Sequence, residues 1–218
     1  MTRPRIAFMS LCLLAFALLG PLLDLARLSF GGHMALHMLI VAGVAPLLAM
    51  GLAGSRLDPA RKAPKLFSPL LASVLEFLVI WAWHAPSLHH ASRQSMLVFA
   101  LELASYLAVG LLLWCAAFGG PHQKAHGRAA TGIAGLLLTS MHMTLLGVLL
   151  ALTDRPLYRH SGSAPWALTP LQDQQIGGVI MLGVGGAVYL LGGLYLLAGL
   201  LRSTPVTGAN LPEKRHEG

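Results

Sequence analysis

The chain reads as an all-α, polytopic membrane helix bundle, and three observations carry that reading. It is 56% hydrophobic and only 11% charged, with a mean hydropathy of +0.69, against roughly 25% charged in an ordinary soluble domain. Six apolar runs are each long enough to cross a hydrocarbon core of about 30 Å. The basic residues alternate between rich and poor loops, as bilayer topology requires. A single transmembrane domain over residues 1–218, ending in a tail over 203–218, accounts for the whole sequence.

The first run, Ile6–Leu23, follows Met-Thr-Arg-Pro-Arg. A basic start and a short apolar stretch also fit a secretory signal. The length of the run favours a retained helix, with five spans as the alternative. Met34–Leu52 is the second span and begins within His33-Met34-Ala35-Leu36-His37. Leu66–Trp83 is the third; Trp81 and Trp83 read as an interfacial aromatic belt. His84-Ala85-Pro86 ends it, because proline biases the residue before it out of the helical region. Met96–Phe118 and Ala129–Leu152 are the fourth and fifth. Ile176–Leu201 is the sixth, and its five glycines between Gly183 and Gly193 predict close helix contact.

Eleven of the fifteen Lys and Arg residues fall on one set of alternate loops and termini. The positive-inside rule then places both termini in the cytoplasm. The net charge of +7 is loop charge that sets topology, so nucleic acid is not an expected partner. The opposite, outer side collects Asp24, His33, His37, His84, His89, His90, Asp154, His160 and Asp173, with Met34, Met38 and Met96 at helix ends. His122, His126 and His216 lie on the inner side. Cys12 and Cys115 form no CxxC and no outer disulfide, and read as small apolar filler.

On a helix, His33 and His37 lie one turn apart on one face, about 6 Å along the axis. Met34 and Met38 form the adjacent row. Imidazole and thioether make a soft, thiol-free donor set that suits copper. His84 lies at nearly the same level. His33, His37 and His84 are therefore the expected ligands, with Met34, Met38, Glu102, Asp173 and His142 as further ligands or lining. Glu102 sits roughly 9 Å below the start of its span, close in depth to His37. His142, within Met141-His142-Met143, lies roughly 9 Å deeper, and adjacent helical positions diverge too far to share one ion. Glu76, near mid-membrane, is either functional or an interhelical hydrogen-bonding group paired with His142. His89 and His90 read as loop residues. Asp173 reads as an N-cap, and Gln174 and Gln175 as donors across to a neighbouring helix.

Four blocks in order resemble a known family. They are His33-Met34-x-x-His37 with Ala45-Pro46-Leu47-Leu48 and Gly51; Trp83-His84-Ala85-Pro86 with Glu102; Arg155-Pro156-Leu157-Tyr158; and Asp173-Gln174-Gln175-Ile176-Gly177-Gly178-Val179-Ile180-Met181. Together they are similar to the motifs of the polytopic CtaG-like cytochrome c oxidase assembly factors, over about residues 33–200. The chain departs from that pattern at Leu36, where glutamine is common, at Leu182, and at Phe99 and Leu103, where histidines flank the acidic position. The resemblance implies a bacterial plasma-membrane protein that helps build the copper centres of a haem-copper oxidase. Its implied partners are oxidase subunits, periplasmic copper chaperones and the lipid bilayer.

Other classes stay open at this stage. A b-type cytochrome would use two of these histidines as axial haem ligands. A copper transporter would need donors across the whole membrane, and below His142 they thin to Met9, Met50, Cys12 and Cys115. A metal-free scaffold would simply hold oxidase subunits. A zinc hydrolase is disfavoured, because Met34 stands where the general-base glutamate of an HExxH helix belongs. No enzymatic activity is expected.

Overall fold

The structure is a computed structural model that describes residues 2–120, 125–158 and 167–203. It is helical throughout, with no strand among the described residues. The elements are α1 (Arg3–Leu19), α2 (Pro21–Leu28), α3 (Phe30–Leu52), a short α4 (Pro59–Lys62), α5 (Pro69–Trp83), α6 (Pro86–Gln94), α7 (Met96–Phe118), α8 (Ala125–Ala151) and α9 (Pro170–Arg202). Four of these, α3, α7, α8 and α9, are long and apolar enough to cross a membrane alone. Six spans result if α1–α2 and α5–α6 each count as one.

The first of these is broken inside the run that the sequence suggested as one straight helix, whereas the third stops at His84 as expected and continues in a new helix. The first bends by 47° at Gly20-Pro21 and the third by 70° at His84-Ala85. Both bends precede a proline at a helix start, where the missing N–H costs nothing and the fixed φ favours a new helix. The third span starts at Pro69 rather than Leu66, and the sixth at Pro170 rather than Ile176. The tail beyond residue 203, His122, His160 and His216, and the side chain of His126, lie outside the described residues.

The most enclosed helix is α3, which packs against α1, α2, α7 and α9. On the other side, α8 packs against α5, α7 and α9. The outward faces remain apolar: Leu97, Leu101, Leu145 and Leu149 are all exposed. That surface is suited to acyl chains and not to water. A close backbone approach joins α8 to α9, where a Cβ on Gly178 would lie 2.6 Å from the Ala151 nitrogen and one on Gly147 would lie 2.8 Å from the Leu182 nitrogen.

The start of α3 is fixed from two directions. Ser29 Oγ accepts from the Gly32 N–H at 2.9 Å. The Asp173 carboxylate, reaching over from α9, accepts from the N–H groups of Phe30 (2.6 Å) and Gly31 (3.0 Å). Asp173 is thus a cap, but for α3 and not for its own helix. Its own helix is capped by Thr169 in a reciprocal capping box with Gln172. Gln174 and Gln175 bond outward as expected: Gln174 accepts from the Leu157 N–H at 2.7 Å, and Gln175 donates to the Thr153 carbonyl at 3.2 Å.

A widened π-helical stretch, Leu39–Val44, interrupts α3 just before Pro46. Proline supplies no N–H and its ring crowds the carbonyl four residues back, so the turn opens there. The Val41 carbonyl accepts from Trp114 Nε1 at 2.9 Å.

Candidate functional site

The polar side chains converge at one end of the bundle, where α3, α7 and α9 begin and α5 ends. Two donor groups lie there, one above the other along the first two turns of α3, with Tyr106 of α7 against both. They share helix α3 but differ in chemistry.

The deeper group contains His37, His84 and Met34. All three are buried. His84 caps α5, and its Nδ1 lies 2.6 Å from the Ile80 carbonyl oxygen. A carbonyl only accepts, so Nδ1 carries the proton and Nε2 of the neutral ring presents a lone pair. That Nε2 faces the Met34 sulfur at 3.4 Å. His37 stacks on Tyr106 at 4.0 Å, and its ring centre is 5.5 Å from that of His84. Neither ring nitrogen of His37 has a hydrogen-bond partner among the described residues. Tyr158, in the segment after α8, donates to the His84 carbonyl at 2.7 Å and stacks on Phe30 at 4.4 Å. Burial holds its phenol above the ordinary range, so it remains a neutral donor.

The second group contains His33, His89 and Glu102, whose ligand atoms all fall within 4.8 Å of one another. His33 Nε2 is 3.1 Å from Glu102 Oε1. Tyr106 donates to the same oxygen at 3.0 Å. Arg93 of α6 completes the group: its Nη2 is 3.1 Å from both Glu102 Oε2 and His33 Nδ1. The guanidinium also donates to the Ala26 carbonyl at 2.6 Å and to Ser92 Oγ, and lies 4.5 Å from the centre of the Phe99 ring.

The structure therefore sorts the expected ligands. His37 and His84 meet, with Met34 between their helices; His33 lies one turn up with Glu102. Both Asp173 oxygens are taken by α3 backbone donors. The Met38 sulfur is turned toward α9, 3.3 Å from where a Cβ of Gly185 would stand. His142 is buried edge-on to Phe77. It does not pair with Glu76. Instead Glu76 accepts from Tyr189 at 2.6 Å and from Thr139 at 3.2 Å, because the neighbouring helices bring hydroxyls to it first.

His89 corrects the sequence reading outright. It lies on a helix, α6, and is buried against Phe30 and Tyr158, 5.2 Å ring to ring from His33. Only His90 is exposed. The missed signal was spacing: His89, Ser92 and Arg93 fall at i, i+3 and i+4 after a helix-starting proline, and so share one face. Tyr106, four residues after Glu102, was legible by the same rule.

Searches of curated proteins and of solved structures return no match. A family model described as the cytochrome c oxidase caa3 assembly factor matches residues 2–203. With the match covering nearly the whole chain, the protein belongs to the cytochrome c oxidase caa3 assembly factor family.

Proposed function

We propose that this protein serves oxidase assembly by holding Cu(I) at the outer face of the bacterial plasma membrane, between His37, His84 and Met34, for delivery to a copper centre of the oxidase. The supporting observation is the His84 ring. Its Nδ1 is committed to the Ile80 carbonyl, which leaves the Nε2 lone pair facing a thioether sulfur. Backbone anchoring of one imidazole nitrogen is the usual device for orienting the other toward a metal. His37 supplies the third neutral donor.

Neutral nitrogen and sulfur donors match the softness of Cu(I). They add no negative charge, so the bound ion keeps its charge inside an apolar bundle and is readily passed on. That property suits a carrier better than a permanent cofactor site. The partners on this reading are oxidase subunits that receive the ion and periplasmic copper chaperones that supply it.

The test is a Cu(I) titration of the purified full chain against a chromophoric chelator. The wild type is expected to bind one equivalent at the deeper group, and His37→Ala with His84→Ala to bind none there while keeping its helix content. Met34→Leu should weaken binding and remove sulfur from the X-ray absorption spectrum of the bound copper. An unchanged stoichiometry in the double variant refutes the site. A Soret band in the same preparation would favour haem instead.

A further inference from the structure

The Arg93 guanidinium occupies a position that the chemistry of its neighbours would otherwise give to a metal ion. Guanidinium has donors only. With Nη2 3.1 Å from His33 Nδ1, that nitrogen must accept, and the proton of the neutral ring sits on Nε2, toward Glu102 Oε1. Nη2 therefore lies between two lone pairs, one from His33 Nδ1 and one from Glu102 Oε2. His89 flanks the same space. Two imidazoles and a carboxylate are a borderline ligand set, suited to Cu(II) or Zn(II) as much as to Cu(I).

Charge gives the same answer as geometry. Glu102 is fully buried, and Arg93 is its cationic partner. If a metal cation entered while Arg93 stayed, two positive groups would face one carboxylate in a site of low dielectric. The two cations compete for one place.

Arg93 also has somewhere to go. It forms one wall of a cleft of about 480 Å³ that Asp24, Arg27, Ser92, Gln94 and Met96 also line. Asp24 is exposed and offers a carboxylate to a displaced guanidinium. Met96, also exposed, adds a thioether side chain to the lining.

We infer that His33, His89 and Glu102 form a second metal position, between the cleft and the deeper histidines, which Arg93 fills as a tethered cation until an incoming copper ion displaces it. This rests on copper being the cargo, but it makes its own prediction. Arg93 is a gate and a positioning residue, and a ligand to nothing.

The experiment uses Cu(II) as the probe, read by electron paramagnetic resonance on the purified full chain. Arg93→Gln should bind Cu(II) with nitrogen coupling at least fivefold more tightly than the wild type, within the five- to 150-fold range usual for coupled equilibria. Arg93→Gln with His33→Ala should lose that signal. If Arg93→Gln binds no better than the wild type, or worse, Arg93 is a structural clamp and the proposal fails. The Cu(I) stoichiometry at His37 and His84 is measured separately, so either result can fail without the other. In the unaltered protein, modification of Arg93 by phenylglyoxal, mapped by mass spectrometry, should speed up when Cu(II) is added. An unchanged or slower rate overturns the proposal even if the variant does not fold.

Discussion

At the scale of single residues, Asp173 shows how a carboxylate that looks like a ligand can instead be a fastener. Its oxygens accept from two backbone N–H groups at the start of α3. Asp173→Ala would remove the buried acceptor of both bonds and should destabilise the protein by about 2–4 kcal/mol. Thermal unfolding in detergent would measure this, and Asp173→Asn, which keeps one acceptor, should lose less. Tyr158→Phe removes only the bond to the His84 carbonyl and should cost about 1 kcal/mol, with copper stoichiometry unchanged. The histidine and methionine donors were legible in the sequence, because helical spacing and membrane depth follow from position alone. Which of them meet was not. His33 and His37 share a face, yet they join different partners, since Glu102 and Arg93 reach the upper turn and His84 the lower.

At the scale of elements, the breaks matter as much as the helices. The 70° bend after α5 turns α6 across the end of the bundle, and this brings His89 and Arg93 over His33. Pro86 was visible in the sequence, but a proline marks where a helix stops and not where the chain goes next. That is why His89 and His90 read as loop residues in the sequence alone. The contact of α8 with α9 carries a sharper prediction. A Cβ on Gly178 would meet the backbone of Ala151, which cannot rotate away. Gly178→Ala should therefore destabilise by about 1–3 kcal/mol, seen as a lower unfolding temperature. Trp114→Phe, which removes a bond to the widened turn of α3, should cost about 1 kcal/mol by the same measurement.

At the scale of the molecule, composition and the length of the apolar runs predict the all-helical architecture, because lipid permits so few alternatives: a span must satisfy its own backbone, so apolar length implies helix. Helix order around the bundle left no comparable trace, since every span is apolar on most sides. The charge distribution predicts that the end bearing the histidines faces away from the cytoplasm. In a chain with Cys12→Ala and Cys115→Ala, a cysteine at Asp154 should react with an impermeant maleimide in intact cells, whereas one at Arg61 should react only after lysis. The reverse pattern would move the histidine cluster to the cytoplasmic side. The reach of Asp173 from α9 to the first turn of α3 has a consequence for biogenesis. His33 and His37 leave the ribosome well before Asp173, yet they ride on a helix whose first turn is pinned by that residue. On the proposed reading, a nascent chain stalled before α9 would carry both histidines on a helix whose first turn still lacks its cap, and it should hold copper more weakly than the full chain.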